Sequence, residues 1–265
     1  MEKYGLIKTI QPEIVTPTNL LIVRHLGKPF AVSPVFGPGT YDENVEKMRR
    51  QYSHYSKRLG NHPRFIFKPA TTSESTSAAD YKFGEIVKPE IFDSHWLQAG
   101  PYIGTSEGIF FNPPRDVKGN PIINTHYLKN LLSGVEPIRV NKGGIYIVPN
   151  TGILRDFAYA EHGSFITGEQ EAGDFVEGGL ARALEHTESK RAKNLAKILK
   201  SYNRGVNVRR FDPTDKLVSK VVSLGSCRLA VSGRLLVGGL SWRDGYYGFA
   251  FGVPDFAAEG DALKK

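Results

Sequence analysis

GEQEAGDFVEGGLARALEHTESKRAKNLAKILKSYNRG, residues 168–205, is the one long stretch of this 265-residue chain with a helical period. Val176, Leu180, Ala183 and Leu184, then Leu195, Ile198, Leu199 and Tyr202, follow the i, i+3, i+4, i+7 spacing that lines apolar side chains along one face of a helix. Thr187 or Ser189 is placed to cap a restart midway, and Gly205 falls where a left-handed C-terminal cap belongs. The stretch predicts one broken helix, or two short ones, docked on its surroundings.

Those surroundings read as strand. Downstream, residues 217–222, 228–231, 234–237, 240–242 and 246–253 are short apolar runs separated by turn residues, and Trp242, Tyr247, Phe249 and Phe251 suit one face of a meander. Upstream, LLIVRH at 20–25 suits a buried strand, RFIFK at 64–68 another, and IRV and IYIV flank NKGG as a hairpin over 138–148. Residues 30–39, punctuated by proline and glycine, read as a loop. Thr40 and Glu43 have capping-box spacing ahead of a helix with Val45, Met48, Tyr52, Tyr55 and Leu59 on its apolar stripe and lysines and arginines elsewhere. Residues 125–133 predict a further helix, stopped at Gly134. The Ser- and Thr-rich PATTSESTSAAD at 69–80 lacks the glycine frame and lysine of a P-loop and reads as a surface loop with a helix cap. The expected fold is α+β: a mixed or largely antiparallel sheet with a few helices packed to one side, β-rich in its last third, forming a single domain over 1–265. Any division would fall near residue 150.

Composition narrows the setting. A single cysteine, Cys227, excludes an internal disulfide framework and suits a reducing cytoplasm. The opening residues lack a basic head followed by an apolar run, and no apolar run approaches the roughly 20 residues that span a bilayer, so a cytoplasmic protein with no membrane partner is expected. Net charge is +8, unevenly spread. Over 204–234, Arg204, Arg209, Arg210, Lys216, Lys220, Arg228 and Arg234 face only Asp212 and Asp215. Arginines beside Tyr202, Phe211 and Trp242 are the composition of a surface that clamps phosphates and stacks bases, which makes nucleic acid the expected partner.

The densest titratable collection runs from Asp156 through Glu161, His162, Glu169, Glu171, Asp174 and Glu177 to Glu185 and His186. Asp174 and Glu177, three apart, share a helix face, and Gly178-Gly179 behind them permits close approach of a backbone or ligand. Glu161, His162, Glu169, Asp174 and Glu177 are the candidate catalytic set, because carboxylates with a histidine hold a divalent cation or move a proton. No spacing specifies which metal. GTSEG at 104–108 matches a nucleophile elbow in letters, but its β-like run follows Ser106 instead of preceding it, the pattern of an ordinary turn. NPPR at 112–115 has Arg115 where the similar tetrapeptide of amino-methyltransferases has an aromatic; its prolines end a strand. The expectation is a nucleic-acid-binding protein, acting on its partner through a metal-assisted carboxylate site. Two other classes fit the same residues: an enzyme for a small anionic substrate, and a structural or assembly subunit using the aromatic meander. Oligomeric state has no signature in the sequence.

Overall fold

The computed structural model describes residues 6–7, 20–33, 35–58, 66–82, 96–116, 120–151, 154–202, 205–226, 233–241 and 248–255. The chain begins with an antiparallel sheet of β1 (Leu6–Ile7), β2 (Leu20–His25) and β3 (Lys28–Val32), followed by β4 (Phe36–Gly39) and helix α1 (Tyr41–Arg58). Next come β5 (Ile66–Pro69), α2 (Thr72–Lys82), β6 (Trp96–Gly104), β7 (Gly108–Phe111) and α3 (Thr125–Asn130). The hairpin β8 (Ile138–Val140) and β9 (Gly143–Ile147) leads to β10 (Ala158–Glu161), β11 (Gly168–Gln170), and helices α4 (Ala172–Glu177), α5 (Gly179–Leu184) and α6 (Lys193–Leu199). The chain then returns to strand: β12 (Val206–Arg209), β13 (Val218–Ser226), β14 (Leu235–Ser241), β15 (Gly248–Ala250) and β16 (Gly252–Asp255).

Eleven of these strands form one mixed sheet, in the order β11-β12-β14-β13-β6-β7-β10-β9-β8, with β15 joining β4 to β6; β16 pairs with β5 separately. The pairings are antiparallel except for β12 with β14 and β15 with β6. The fold is α+β, as composition and periodicity indicate. Short hairpin turns supply the antiparallel majority. In GTSEG, the Thr105 hydroxyl donates to the Gly108 carbonyl at 2.8 Å and accepts from the Glu107 and Gly108 amides, leaving Ser106 exposed at the tip.

The centre of the sheet is covered on both faces, not on one. Successive strand residues point to opposite sides: Ile109, Phe111, Ala158, Ala160, Ile145 and Ile147 join one core with Phe175, Val176, Leu180 and Leu184. Their neighbours Ile103, Phe110 and Tyr159 join a second core with Leu128 of α3. Fully burying side chains such as Phe110 and Phe111 stabilises each face by roughly 1.5–3 kcal/mol per ring.

Several local expectations hold, and others are corrected. The Thr40–Glu43 capping box is made, with reciprocal bonds of 2.8 and 3.3 Å. Residues 30–32 and 36–39 are not loop but parts of β3 and β4, because β15 and the β2 hairpin satisfy their backbone. The helical stretch breaks at Gly178, whose extended ψ of 158° ends α4 and starts α5. Gly179 then allows that junction to sit directly on Ser164 and Ile145, so the close approach expected of these glycines is made by the protein's own chain. Neither Thr187 nor Ser189 caps the restart: α6 begins after Ala192. Gly205 takes the expected left-handed φ of 79°, several residues beyond the end of α6. Cys227, the 228–231 run, Trp242 and Tyr247 lie outside the described residues.

Candidate functional site

The largest departure from expectation is α2. Most of the stretch 69–80 is helix, within α2 from Thr72, and Thr71, Thr72, Ser73, Glu74, Ser75, Thr76 and Ser77 are all buried. A hydroxyl-rich sequence reads as surface, yet buried hydroxyls are tolerable when each finds a partner. Here Thr72 Oγ1 donates to the Leu184 carbonyl at 3.0 Å and Ser73 Oγ to the Glu185 carbonyl at 2.7 Å, taking up carbonyls that the end of α5 leaves unmet. Thr76 Oγ1 bonds back to the Ser73 carbonyl at 2.9 Å, and Ser77 Oγ lies 3.0 Å from Asn194 Nδ2 and 3.2 Å from His25 Nδ1. Gly100, at φ 156°, lets β6 meet the first turn of α2; an added Cβ would come within 2.8 Å of the Thr72 amide.

The first turn of α2 is a capping box turned inward. Thr71 N donates to Glu74 Oε2 at 2.8 Å and Glu74 N to Thr71 Oγ1 at 3.2 Å. Glu74 Oε2 also pairs with the Arg155 guanidinium. Beside it stands Asp156, 0 % exposed, held at a left-handed φ of 52°. Thr71 Oγ1 donates to Asp156 Oδ2 at 2.5 Å, and His25 Nε2 lies 3.2 Å from the same oxygen. Asn150 Nδ2 donates to Oδ1 at 2.8 Å, while the Asp156 amide and carbonyl are taken by Asn150 Oδ1 and Asn112 Nδ2. Asn112, from the NPPR tetrapeptide, also accepts from the Thr72 amide at 2.9 Å.

The two carboxylates titrate in opposite directions. Burial pushes Glu74 well above the usual carboxylate range, and the Asp156 charge pushes the same way. Burial acts on Asp156 too, but hydrogen bonds from His25, Thr71 and Asn150 outweigh it and hold its carboxyl below the usual range. Glu185 is a third buried acid. It reaches the start of α6, accepting the Leu195 amide, and burial raises its pKa to about 7 against backbone bonds that favour its charged form.

Glu185 thereby supports a second, exposed site. Arg191, Lys193, Lys197 and Lys200, with Ala172, Ala196 and Leu199, line a cleft of about 430 Å³. Lys193, Lys197 and Lys200 are spaced i, i+4, i+7 and share a face of α6 and its end, while Leu195 and Ile198 are buried. Lys197 is paired with Asp80 at 2.6 Å; among the described residues no carboxylate lines the cleft itself.

The residues nominated from sequence are distributed as follows. Glu161 Oε2 accepts the Gly144 amide at 2.7 Å, and Tyr146 Oη lies 3.5 Å from Oε1. His162 Nε2 is 2.9 Å from the Thr105 carbonyl. Glu169 pairs with Arg234 at 3.1 Å, and Asp174 and Glu177 are exposed on α4. Among the described residues no hydrogen bond or ion pair joins any two of these five. Of the basic set, Arg209, Arg210 and Lys216 are exposed near the end of β12, interleaved with exposed Asp212 and Asp215; Lys220 is half-buried on β13. Arg204 and Arg228 lie outside the described residues. Phe249 is half-buried and Phe251 buried, so these two members of the aromatic meander face inward.

Sequence reading missed His25, Glu74 and the α6 cations as site residues. Asp156 and His186 were within the titratable collection, but nothing in their spacing points to His25, some 130 residues away, or to Glu74. The α6 cations were legible. Lys190, Arg191, Lys193, Lys197 and Lys200 fall in eleven residues without an acid, a run that disappears when charge is averaged over 151–200. Among the described residues no helix is long and apolar enough to cross a membrane. No protein family, curated protein or solved structure matches this chain.

Proposed function

We propose that this chain binds nucleic acid along the basic cleft of α6, with the exposed Arg209, Arg210 and Lys216 as further contacts, in the reducing cytoplasm that a lone cysteine suits. The observation carrying this reading is the convergence of Arg191, Lys193, Lys197 and Lys200 on one cleft that, among the described residues, no carboxylate lines, Lys197 being paired with Asp80 at its side. Like charges gathered on a surface repel one another and attract a polyanion. Phosphodiester groups spaced along a strand suit cations spaced along a helix, and release of condensed counterions drives such binding.

The test is fluorescence anisotropy with labelled single-stranded and duplex oligonucleotides of mixed sequence. Four phosphate contacts give a log–log salt slope of roughly −3 to −4, so raising salt from about 50 to 200 mM weakens binding by about two orders of magnitude. Absence of binding at the lower salt would overturn the reading. Adding Mg²⁺ in the same assay asks whether the bound strand is also cut.

A second reading rests on the cleft's size. Its volume falls in the range of small-molecule pockets, so a small anionic substrate is the alternative occupant. Pyrophosphate that binds tightly while oligonucleotides do not would favour it.

A further inference from the structure

His25, Glu74 and Asp156 come from the end of β2, the first turn of α2 and the β9–β10 connection, yet a ligand atom of each lies within 4.8 Å of the other two. All three are buried, at 7, 2 and 0 % exposure. Two buried carboxylates side by side repel each other unless positive charge is supplied. Arg155 supplies it on one side of Glu74. The space between Asp156, Glu74 and the His25 ring is the other side.

We propose that this space binds one divalent cation of the Zn²⁺ or Mn²⁺ type, with His25, Glu74 and Asp156 as its protein ligands. Three atoms no more than 4.8 Å apart share a point within about 2.8 Å of each, which sub-ångström side-chain shifts close to the roughly 2.0–2.2 Å of such metal–ligand bonds. An imidazole with two carboxylates suits these ions, whereas Ca²⁺ and Mg²⁺ favour all-oxygen shells.

His186 stands beside the cluster, outside its three ligands. Its Nε2 lies 2.7 Å from the Val148 carbonyl, which only accepts, so that nitrogen carries the proton. Its Nδ1 is 3.8 Å from Asp156 Oδ1, beyond hydrogen-bonding distance. Outer partners of the expected kind are also present. Ser77 Oγ stands at His25 Nδ1, where a histidine ligand on Nε2 donates its other N–H, and Thr71 and Asn150 hold Asp156.

The full-length chain is refolded from urea with ZnCl2 or MnCl2, or with a chelator, so that burial cannot delay entry. Bound metal is then counted by mass spectrometry and thermal stability recorded. One ion per chain and a higher Tm with metal are expected. Glu74→Gln should weaken Zn²⁺ binding at least tenfold, and Ser77→Ala, which disturbs the interior least, by roughly ten- to a hundredfold. Exposed Glu107→Gln should leave affinity unchanged. A folded wild-type chain that retains no ion and whose Tm ignores millimolar Zn²⁺ and Mn²⁺ would overturn the proposal. So would binding that is equally tight in the Glu74 and Ser77 variants.

Discussion

Helices α2 and α6 lie against one another and are both polar, but they use polarity in opposite ways. On α2 the polar groups face inward, and nearly every one is matched to a partner fixed by another segment. On α6 the lysines stand in solvent, and among the described residues Lys197 alone of those lining the cleft forms an ion pair, with Asp80. A buried polar group left unmatched costs the desolvation of that group, whereas an exposed cation costs nothing that water does not return. Changes at α2 should therefore act on stability, and changes at α6 on binding.

The sharpest way to break that contrast is Asp156→Ala. It leaves the Thr71 hydroxyl, the Asn150 amide and the His25 ring without their shared acceptor, a loss of about 3–5 kcal/mol to be read from urea denaturation. The pH dependence has a definite sign. The folded carboxyl titrates below the unfolded value of about 3.9, so its stabilisation is present above that pH and fades as pH falls through the folded value. Wild type should lose stability steeply below about pH 4, and the variant less so.

Glu185→Gln tests the link between the two helices. Its folded pKa of about 7 lies above the unfolded value, so its stabilisation is complete below about pH 4 and disappears as pH rises through 7. Wild-type stability should decline over that interval by up to about 3 kcal/mol from this group, and glutamine, which cannot ionise, should flatten the decline. A parallel curve for the variant would mean that the carboxyl is not buried as described.

At α6, Lys193→Glu with Lys200→Glu should weaken oligonucleotide binding by roughly ten- to a hundredfold and reduce the salt slope, with the melting temperature nearly unchanged. A large fall in stability with binding intact would reverse the assignment of roles. The smallest effect is expected at α4: exposed Asp174→Ala and Glu177→Ala should each shift stability by no more than about 0.5 kcal/mol. Loss of nucleic-acid cleavage in either, if cleavage is found with Mg²⁺, would restore them to the chemistry.

How far the sequence could be read depended on the range of the forces involved. The capping box of α1, the β8–β9 hairpin, the Thr105 turn and the break in the helical stretch are set by neighbours within a few residues, and each was legible. So was the α+β class, because periodicity is local. The face that α2 presents was not. Thr, Ser and Glu carry the same letters in a solvated loop as in a buried helix; what distinguishes the cases is whether Asn112, Asp156, Leu184 and Asn194 arrive to bond them. Those partners are 40 to 117 residues away. The sequence by itself determined which segments bend, turn and coil, since those choices are made by backbone preference and adjacent side chains. Only the tertiary structure decided that the hydroxyl-rich helix goes inside and the lysine-rich one stays out, because the cost of burying a polar group depends on a partner that the fold, and not the neighbourhood, provides.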